Sequence, residues 1–343
     1  MLTNIEFNKS LKKYISFSMN VYTKYFIKIN KLDILYKIFD HFKSLPIIIL
    51  GNGTNTIFLK DFLGLIIINN IKYISFIKKN KYYYLHVGSG INWNDLVLYS
   101  IKNNIYGLEN LAMIPGKVGA APIFNIGAYG LEIKNICKYV DILDIKRRKI
   151  IRFNKNKCKF KYRNSKLGNL SSRYIIIYLG LKLPIKWKPL INYYKLKNIN
   201  IKKCNPRYIY NFISNLRKKN IPNYKKINNS GSFFKNLTLN KSKIIKILNK
   251  YSNVPYSLIS KYKFRIPTGW LIDKCDFKGF RIGNVCVDSN NSAIITNYGS
   301  INNDIIFLIK FIYYKIYIKF NIKISLEVLI YFYNNRINLN DIS

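Results

Sequence analysis

The sequence predicts an α+β protein, and three observations carry that reading. Short, continuously apolar runs have strand length, two segments space their apolar residues as a helix does, and glycine-rich links stand between them. Of the 343 residues, 49% are hydrophobic and 15% aromatic, enough apolar surface to offset the entropy of ordering the chain. The length fits two domains, or one domain with a substantial insertion.

Val21 to Ile29 has strand character. Asn30 then offers an N-cap, with Asp33 three residues on, to the helical pattern Leu32, Leu35, Ile38, Phe39 and Phe42. The run Pro46 to Leu50 reads as a buried strand and ends in Gly51-Asn52-Gly53-Thr54-Asn55. Leu65 to Asn69 and Tyr82 to Val87 read as further strands, followed by a helix through Trp93, Leu96, Val97 and Ile101. Small residues dominate from Gly107 to Glu132, and Pro184 to Pro189 marks a connection into a new segment. Arg217-Lys218-Lys219-Asn220-Ile221-Pro222 suggests a second boundary, beyond which one more α+β unit runs to about Phe332. Ile305 to Phe320 is interrupted by Lys310, Lys315 and Lys319, so it falls short of a membrane span and reads as a helix packed on a sheet. The N-terminus carries Glu6 early and lacks a signal-peptide apolar core, which together give the expectation of a soluble protein.

The formal net charge of +43 would ordinarily point to a polyanion such as nucleic acid. Its source is lysine, spread along the chain together with Asn, Ile, Tyr and Phe, and all of these have A/T-rich codons. That pattern fits compositional bias better than a selected binding face. Neither an RNP-type aromatic pair nor a zinc-finger spacing is present, so no nucleic-acid partner is expected, although so positive a field would still draw in anionic substrates. Cys137, Cys158, Cys204, Cys275 and Cys286 are odd in number and contain no C-x-x-C pair, which argues against a disulfide framework and for a reducing, cytoplasmic setting. With only His41 and His86 in the chain, a multi-histidine metal centre is excluded, and no metal is expected.

Gly51-Asn52-Gly53 after a buried strand reads either as a backbone cradle for phosphate or as a tight turn between strands. Thr56 replaces the third glycine of a dinucleotide fingerprint, so a Rossmann site is rejected. The string Ile114 to Gly130 is more demanding. Its small side chains would let backbone approach a flat ligand and expose N–H groups to a pyrophosphate, or would simply form a packing loop.

Gly107-Leu108-Glu109-Asn110-Leu111-Ala112, running into that string, resembles the flavin-binding signature of the UDP-N-acetylenolpyruvoylglucosamine reductases, in their type I-like form. Leu50 to Asn55 is similar to that family's first phosphate loop, and Val87-Gly88-Ser89-Gly90-Ile91-Asn92-Trp93 to its next element. Phe160 to Ser165, Gly231-Ser232-Phe233-Phe234-Lys235-Asn236 and Gly269-Trp270-Leu271-Ile272-Asp273 continue the match in the family's order. The resemblance implies a vanillyl-alcohol-oxidase (PCMH-type) FAD-binding domain of two α+β subdomains, followed by an α+β substrate domain. The expected division is 1–220 for the FAD-binding region, with its core at about 17–187, then 221–330 for the substrate domain and 331–343 as a tail.

The activity implied is NADPH-dependent reduction of the enolpyruvyl ether through noncovalent FAD, with a UDP-sugar as substrate and no membrane or obligate protein partner. Three residues carry over as catalytic: Arg163, Ser232 and Glu327. Arg163 has the plain alternative of a surface cation, and Ser232 that of a turn cap. Glu327 is the lone acid in the apolar run Ile324 to Phe332, expected to form a strand at Leu326 to Val328, where a buried carboxylate needs a partner or a function.

Cofactor contacts are implied for Gly51, Asn52, Gly53, Thr54, Asn55, Gly116, Gly119, Ala120, Ala121, Pro122, Asn125, Gly127, Ala128 and Arg217. Substrate contacts are implied for Tyr193, with Tyr194 as its alternative, and for Asn236 and Lys278. The chain departs from the pattern at Asn220, Leu237, Asp288 and Leu329, where lysine, proline, histidine and arginine are usual. Two other readings compete. One is a flavin oxidase of the same superfamily, which often tethers flavin through a histidine that these glycine-rich segments lack. The other is a basic nucleic-acid-binding protein.

Overall fold

The computed structural model describes residues 5–170, 173–196, 199–299 and 302–342. Strands β1 (Glu6–Ser10) and β2 (Tyr22–Ile29) lead to helix α1 (Asp33–His41), then β3 (Ile47–Leu50), β4 (Thr56–Phe58), β5 (Phe62–Asn69), β6 (Ile74–Lys79), β7 (Tyr82–Gly88) and α2 (Trp93–Lys102). Beyond the glycine-rich segment come β8 (Gly127–Ala128), β9 (Leu131–Glu132), the single turn α3 (Ile133–Ile136), β10 (Cys137–Asp144), β11 (Lys149–Asn154), β12 (Tyr174–Pro184) and α4 (Pro206–Asn220). The remainder forms β13 (Asn228–Ser232), β14 (Leu237–Asn240), α5 (Lys241–Lys250), β15 (Ser257–Ser260), β16 (Lys263–Ile266), α6 (Thr268–Asp273), β17 (Arg281–Ile282), β18 (Val285–Val287), β19 (Ile294–Asn297), α7 (Asn302–Phe320), β20 (Leu329–Phe332), β21 (Asn335–Ile337) and α8 (Leu339–Ile342).

The chain divides into two compact units. The first comprises Met1–Lys9, Thr23–Asn52 and Leu63–Lys219, and the second Ser10–Tyr22, Gly53–Phe62 and Asn220–Ser343. The division is therefore not contiguous, unlike the one the sequence suggested, because two early segments join the later unit. The expected tail is not a tail either. It completes β20 and adds β21 and α8, and β20 pairs in parallel with the early strand β4.

In the first unit, β5 lies between β2 and β3 in a sheet of order β1-β2-β5-β3. Its run Phe62 to Asn69 is buried at every position but Leu63, as expected of a central strand covered on both faces. Leu35 and Ile38 of α1 pack with side chains of that sheet, among them Leu65 and Ile67, in one apolar cluster. The helix begins later than predicted. Its N-cap is Leu32 with no side-chain cap, because the Asn30 amide oxygen is instead bound by Asn70 Nδ2 at 2.7 Å. A second, antiparallel sheet has the order β11-β10-β12-β7-β6, and α2 buries Trp93, Leu96 and Val97 against its inner side chains.

The second unit holds three small sheets, β13-β19-β18-β17, β14-β16-β15 and β21-β20-β4. Ile244 and Ile247 of α5 pack with Leu239 and Ile266. Helix α7 matches the segment predicted from Ile305 to Phe320 and buries Ile305, Leu308, Ile309, Ile312 and Ile316. The late strand starts at Leu329 rather than Leu326, since only Leu326 makes a single bridge, to Phe234, before the chain bends at Glu327 and Val328.

Gly53 sits where nothing larger fits. Its φ is +58°, and a Cβ would lie 2.1 Å from the Tyr14 carbonyl oxygen. Gly53→Ala is expected to destabilise the second unit by at least about 1–3 kcal/mol, the usual cost of a strained backbone position, before any shift of the Tyr14 backbone is counted. Chemical denaturation monitored by tryptophan fluorescence checks this, and a midpoint equal to wild type would refute it.

Candidate active site

Candidate residues lie in both compact units. In the first, Lys161 and Asn164 exchange backbone hydrogen bonds at 2.8 and 3.3 Å, closing a tight turn whose third residue, Arg163, has φ +49°. Ser165 follows, capping a short helical turn through Leu167 N–H and donating to the Ile123 carbonyl at 2.9 Å. Asn125 ties this turn to the glycine-rich segment. Its Nδ2 donates to Glu132 Oε2 (2.8 Å) and to the Lys161 carbonyl (3.0 Å), while its Oδ1 accepts from Lys134 N–H (2.9 Å). The Asn125 side chain is thus fully engaged within the protein, so any contact it makes with a cofactor comes from its backbone.

Arg217, on the last turns of α4, reaches into the same neighbourhood. Its Nε is inaccessible and has no hydrogen-bond partner among the described residues. Desolvation pushes its guanidinium well below the usual arginine value, opposed by attraction and a hydrogen bond to Tyr129 and reinforced by the charge of Arg163. Tyr193 packs edge-on against Tyr129, with ring centroids 5.7 Å apart. Arg163, Arg217, Tyr129 and Tyr193 therefore form one cluster. Both arginines are half-buried, and the inaccessible Nε of Arg217 leaves a donor that an anion could take. This donor set fits a phosphate- or carboxylate-bearing ligand such as FAD or a nucleotide sugar. Tyr129 was missed by the sequence reading, although it lies within the glycine-rich string; its ring was not distinguishable there from a packing residue.

The glycine-rich segment itself behaves differently from expectation. The N–H groups of Val118, Gly119, Ala120 and Ala121 all donate within the protein, to Ile91, Ser89, Lys117 and Val118 carbonyls. They do not present the open row of donors anticipated for a pyrophosphate. The small residues are needed for close approach instead: a Cβ on Gly119 would stand 2.7 Å from the Ser89 Cβ. Gly116, Pro122, Gly127 and Ala128 belong to the same wall, whose Gly127 and Ala128 pair with Glu132 and Leu131. Asn52 Nδ2 donates to Asn92 Oδ1 at 2.9 Å, which joins the end of the Gly51-Asn52 loop to the start of α2.

Lys117 is a second residue the sequence reading passed over. It is buried, its Nζ donates to the Asn69 carbonyl at 2.7 Å, and desolvation followed by Lys72 and Lys28 lowers its pKa to about 8.

In the second unit, Gly231 has φ +69° and a register shift interrupts β13 before Ser232, which is exposed. Ser230, two positions earlier, is buried and its hydroxyl has no partner among the described residues. Glu327 N–H donates to the Phe233 carbonyl at 2.9 Å, Phe234 bridges Leu326, and Lys235 N–H donates to the Ser325 carbonyl at 2.9 Å. The fold thereby pairs the segment that follows Ser232 with the segment that carries Glu327 in one short antiparallel contact, in which Phe233 stands opposite Glu327. Glu327 is half-buried, not fully buried as its apolar surroundings in the sequence implied, and the charge of the Lys235 ammonium couples to it. Asn55 Nδ2 donates to the Glu327 carbonyl at 3.2 Å, and Thr54 precedes it there.

Asn236 accepts from Thr268 N–H at 3.2 Å, fixing its amide beside the same strand. Lys278 is exposed in the turn between α6 and β17. Of the departures from the expected pattern, Asp288 caps a turn through Asn290 and Asn291 N–H, the Asn220 carbonyl accepts from Asn291, and Leu237 and Leu329 begin strands.

Residues 222–331 match the C-terminal domain of UDP-N-acetylenolpyruvoylglucosamine reductase, and residues 38–154 match the FAD binding domain. The chain is 42% identical over 326 residues to the UDP-N-acetylenolpyruvoylglucosamine reductase of Buchnera aphidicola subsp. Baizongia pistaciae, covering 93% of this chain and 97% of that protein. The chain belongs to the UDP-N-acetylenolpyruvoylglucosamine reductase family. The reductase of Blochmanniella pennsylvanica is 39% identical over 322 residues, covering 93% of each chain. Among solved structures, the reductase from Thermus caldophilus superposes with a TM-score of 0.65 at 20% identity, covering 95% of this chain and 98% of that one, so the fold is that of the reductase family. The family α+β architecture, with its FAD-binding region, is the one the motifs implied.

The depressed pKa of Lys117 gives a signed prediction. Below pH about 8, folded and unfolded chains both hold the proton and the burial penalty is constant. Between about 8 and the ordinary 10.5, the unfolded chain holds a proton that the folded one has released, so this lysine makes stability rise with pH. Urea titrations across that window should show the rise in wild type and its loss in Lys117→Met. An equal pH slope in the two proteins would contradict the assignment.

Proposed function

We propose that the chain reduces UDP-N-acetylenolpyruvoylglucosamine to UDP-N-acetylmuramate with NADPH, using noncovalently bound FAD, as a step of peptidoglycan precursor synthesis in the cytoplasm. The observation that carries this reading is the 42% identity to a reductase of that name over 93% of the chain. The local geometry supports it, because an anion-seeking cluster in one unit and an exposed serine joined to a carboxylate strand in the other are the groups the chemistry needs.

Bound FAD would supply the hydride relay from NADPH to the terminal carbon of the enolpyruvyl double bond. Arg217 and the loop Gly51 to Asn55 would hold its phosphates, with the wall from Gly116 to Ala128 against its flat surface. In the proposed roles, Arg163 binds the substrate carboxylate with paired N–H donors and stabilises the charge that develops there. Glu327 contributes a further hydrogen bond to the same group. Ser232 gives its Oγ proton to the carbon bearing the ether oxygen, which completes the lactyl ether. Tyr193, Asn236 and Lys278 are assigned to the nucleotide sugar.

The test is direct. Purified protein should be yellow, release intact FAD on denaturation, and convert UDP-N-acetylenolpyruvoylglucosamine and NADPH to the lactyl product. Colourless protein that cannot be reconstituted with FAD, or an unchanged substrate, defeats the proposal.

Arg163→Lys should lose about a hundredfold to a thousandfold in turnover despite retaining charge, since an ammonium cannot reproduce a planar two-donor clamp. Near-normal turnover would return Arg163 to the surface cations.

Ser232→Ala should separate the half-reactions. Anaerobic bleaching of the flavin by NADPH should be almost unchanged, because that step protonates no substrate carbon. Reoxidation by the enolpyruvyl substrate should slow by at least about a hundredfold, the lower end of what a positioned acid contributes. The buried Ser230 is the control, and a mild Ser232→Ala beside a damaging Ser230→Ala would show the register to be wrong.

A further inference from the structure

Helix α7 carries two apolar stripes on opposite sides. At about 100° per residue, Ile305, Ile309, Ile312 and Ile316 fall on one side, and these are fully buried. Phe307, Phe311, Tyr314 and Ile318, at spacings of four, three and four, fall on the other. Phe307 is 59% exposed, Tyr314 61% and Ile318 63%. Lysines border the outer stripe on both flanks, Lys310 on one side and Lys315 on the other, both exposed. The acid on this side of the helix, Asp304, is engaged, accepting from Asn284 N–H at 3.2 Å. Phe307, Lys310, Phe311 and Tyr314 also line, with Ile282 of β17, an open groove of about 430 Å³. Burying one stripe in the core explains the helix; of the other stripe only Phe311 packs inward, on Phe277 and Phe280, and Phe307, Tyr314 and Ile318 stay largely exposed.

We propose that the outer face of α7 docks peripherally on an anionic lipid bilayer, with Phe307, Tyr314 and Ile318 entering the interface and Lys310 and Lys315 meeting headgroup phosphates. An exposed apolar, aromatic stripe bordered by lysines offers together the apolar burial and the attraction to anionic lipid on which peripheral membrane binding depends. No helix among the described residues is long and apolar enough to cross a membrane, so the contact is interfacial. Charge selects the partner. On a chain of net charge +43, a second copy stacked on this face would set lysine against lysine, whereas an anionic leaflet attracts both flanks. Apolar entry and headgroup contact are both required, since either signal alone holds a protein to a bilayer only weakly. The inference is independent of the reductase reaction.

The full chain is floated with vesicles of phosphatidylcholine alone and of phosphatidylcholine with phosphatidylglycerol. The protein should be recovered with the anionic vesicles and little with the neutral ones. The triple change Phe307→Asn, Tyr314→Asn, Ile318→Asn should lower recovery at least about tenfold, and Lys310→Gln with Lys315→Gln should also lower it. Phe311 is left intact because it packs on Phe277 and Phe280, with centroids at 5.2 and 5.6 Å. Leu258→Asn, at an equally exposed position on β15, should change nothing. Circular dichroism establishes that each variant folds, and the single change Ile318→Asp replaces the triple if that one does not. Failure of the wild type to float with anionic vesicles overturns the proposal. So does full binding by the triple variant, which would assign adsorption to the dispersed lysines. A concentration-dependent dimer abolished by the triple change would assign the face to a second copy instead.

Discussion

The backbone hydrogen bond from Glu327 N–H to the Phe233 carbonyl governs the arrangement of the candidate residues in the second unit. It joins two segments far apart in the sequence, and with the Phe234–Leu326 bridge it fixes which side chains share a face. In an antiparallel contact, residues on one strand alternate between faces, so a slip of one position would move Lys235 and Glu327 away from each other. The Asn55 amide holds the Glu327 carbonyl, and Leu329 N–H returns to the Asn55 carbonyl at 3.0 Å. The early excursion of the chain through Gly53 to Phe62 therefore serves as the support on which the late acidic residue rests. Gly53 is required there by the neighbouring Tyr14 backbone, a structural demand separate from any ligand.

The first unit solves a different problem, which is how to hold two guanidiniums close together. Arg217 and Arg163 stand near one another around Tyr129, and desolvation and mutual repulsion both disfavour that arrangement. The surrounding structure makes it possible by rigid bracing. Asn125 spends its whole amide on Glu132, Lys161 and Lys134, and the turn that carries Arg163 is locked by paired backbone hydrogen bonds. A charge cluster braced in this way keeps its geometry without a ligand, which is what the proposed anion-binding role requires. Lys117 shows the same tolerance of buried charge within the glycine-rich wall.

Compositional bias is visible throughout, yet its consequences are local. Lysine is dispersed over the whole chain, and at most positions it forms no pattern with its neighbours. On α7 lysines instead border a second apolar stripe, and the position of that stripe relative to the buried one gives the helix two sticky sides. The same residue types thus read as noise in the composition and as a pattern on the helix, which only the 3.6-residue period separates.

Local pattern was enough to establish the α+β class, the strands at Tyr22–Ile29, Ile47–Leu50 and Tyr82–Gly88, and helix α7, because periodicity and unbroken apolar runs are properties of neighbouring residues. It was also enough to establish the family, since ordered motifs survive compositional drift. It could not say where α1 is capped, because Asn30 is claimed by Asn70 from another strand. It placed the late strand three residues early, because the bend at Glu327 is imposed by pairing with Phe233 and Asn55 rather than by the residues of the bend. The spent N–H groups of Val118 to Ala121, the cluster of Tyr129 with two arginines, and the passage of Gly53–Phe62 into the later unit emerged only when the chain was folded. Each depends on partners distant in sequence, and a hydrogen bond or a close packing contact leaves no trace in the local pattern of either partner.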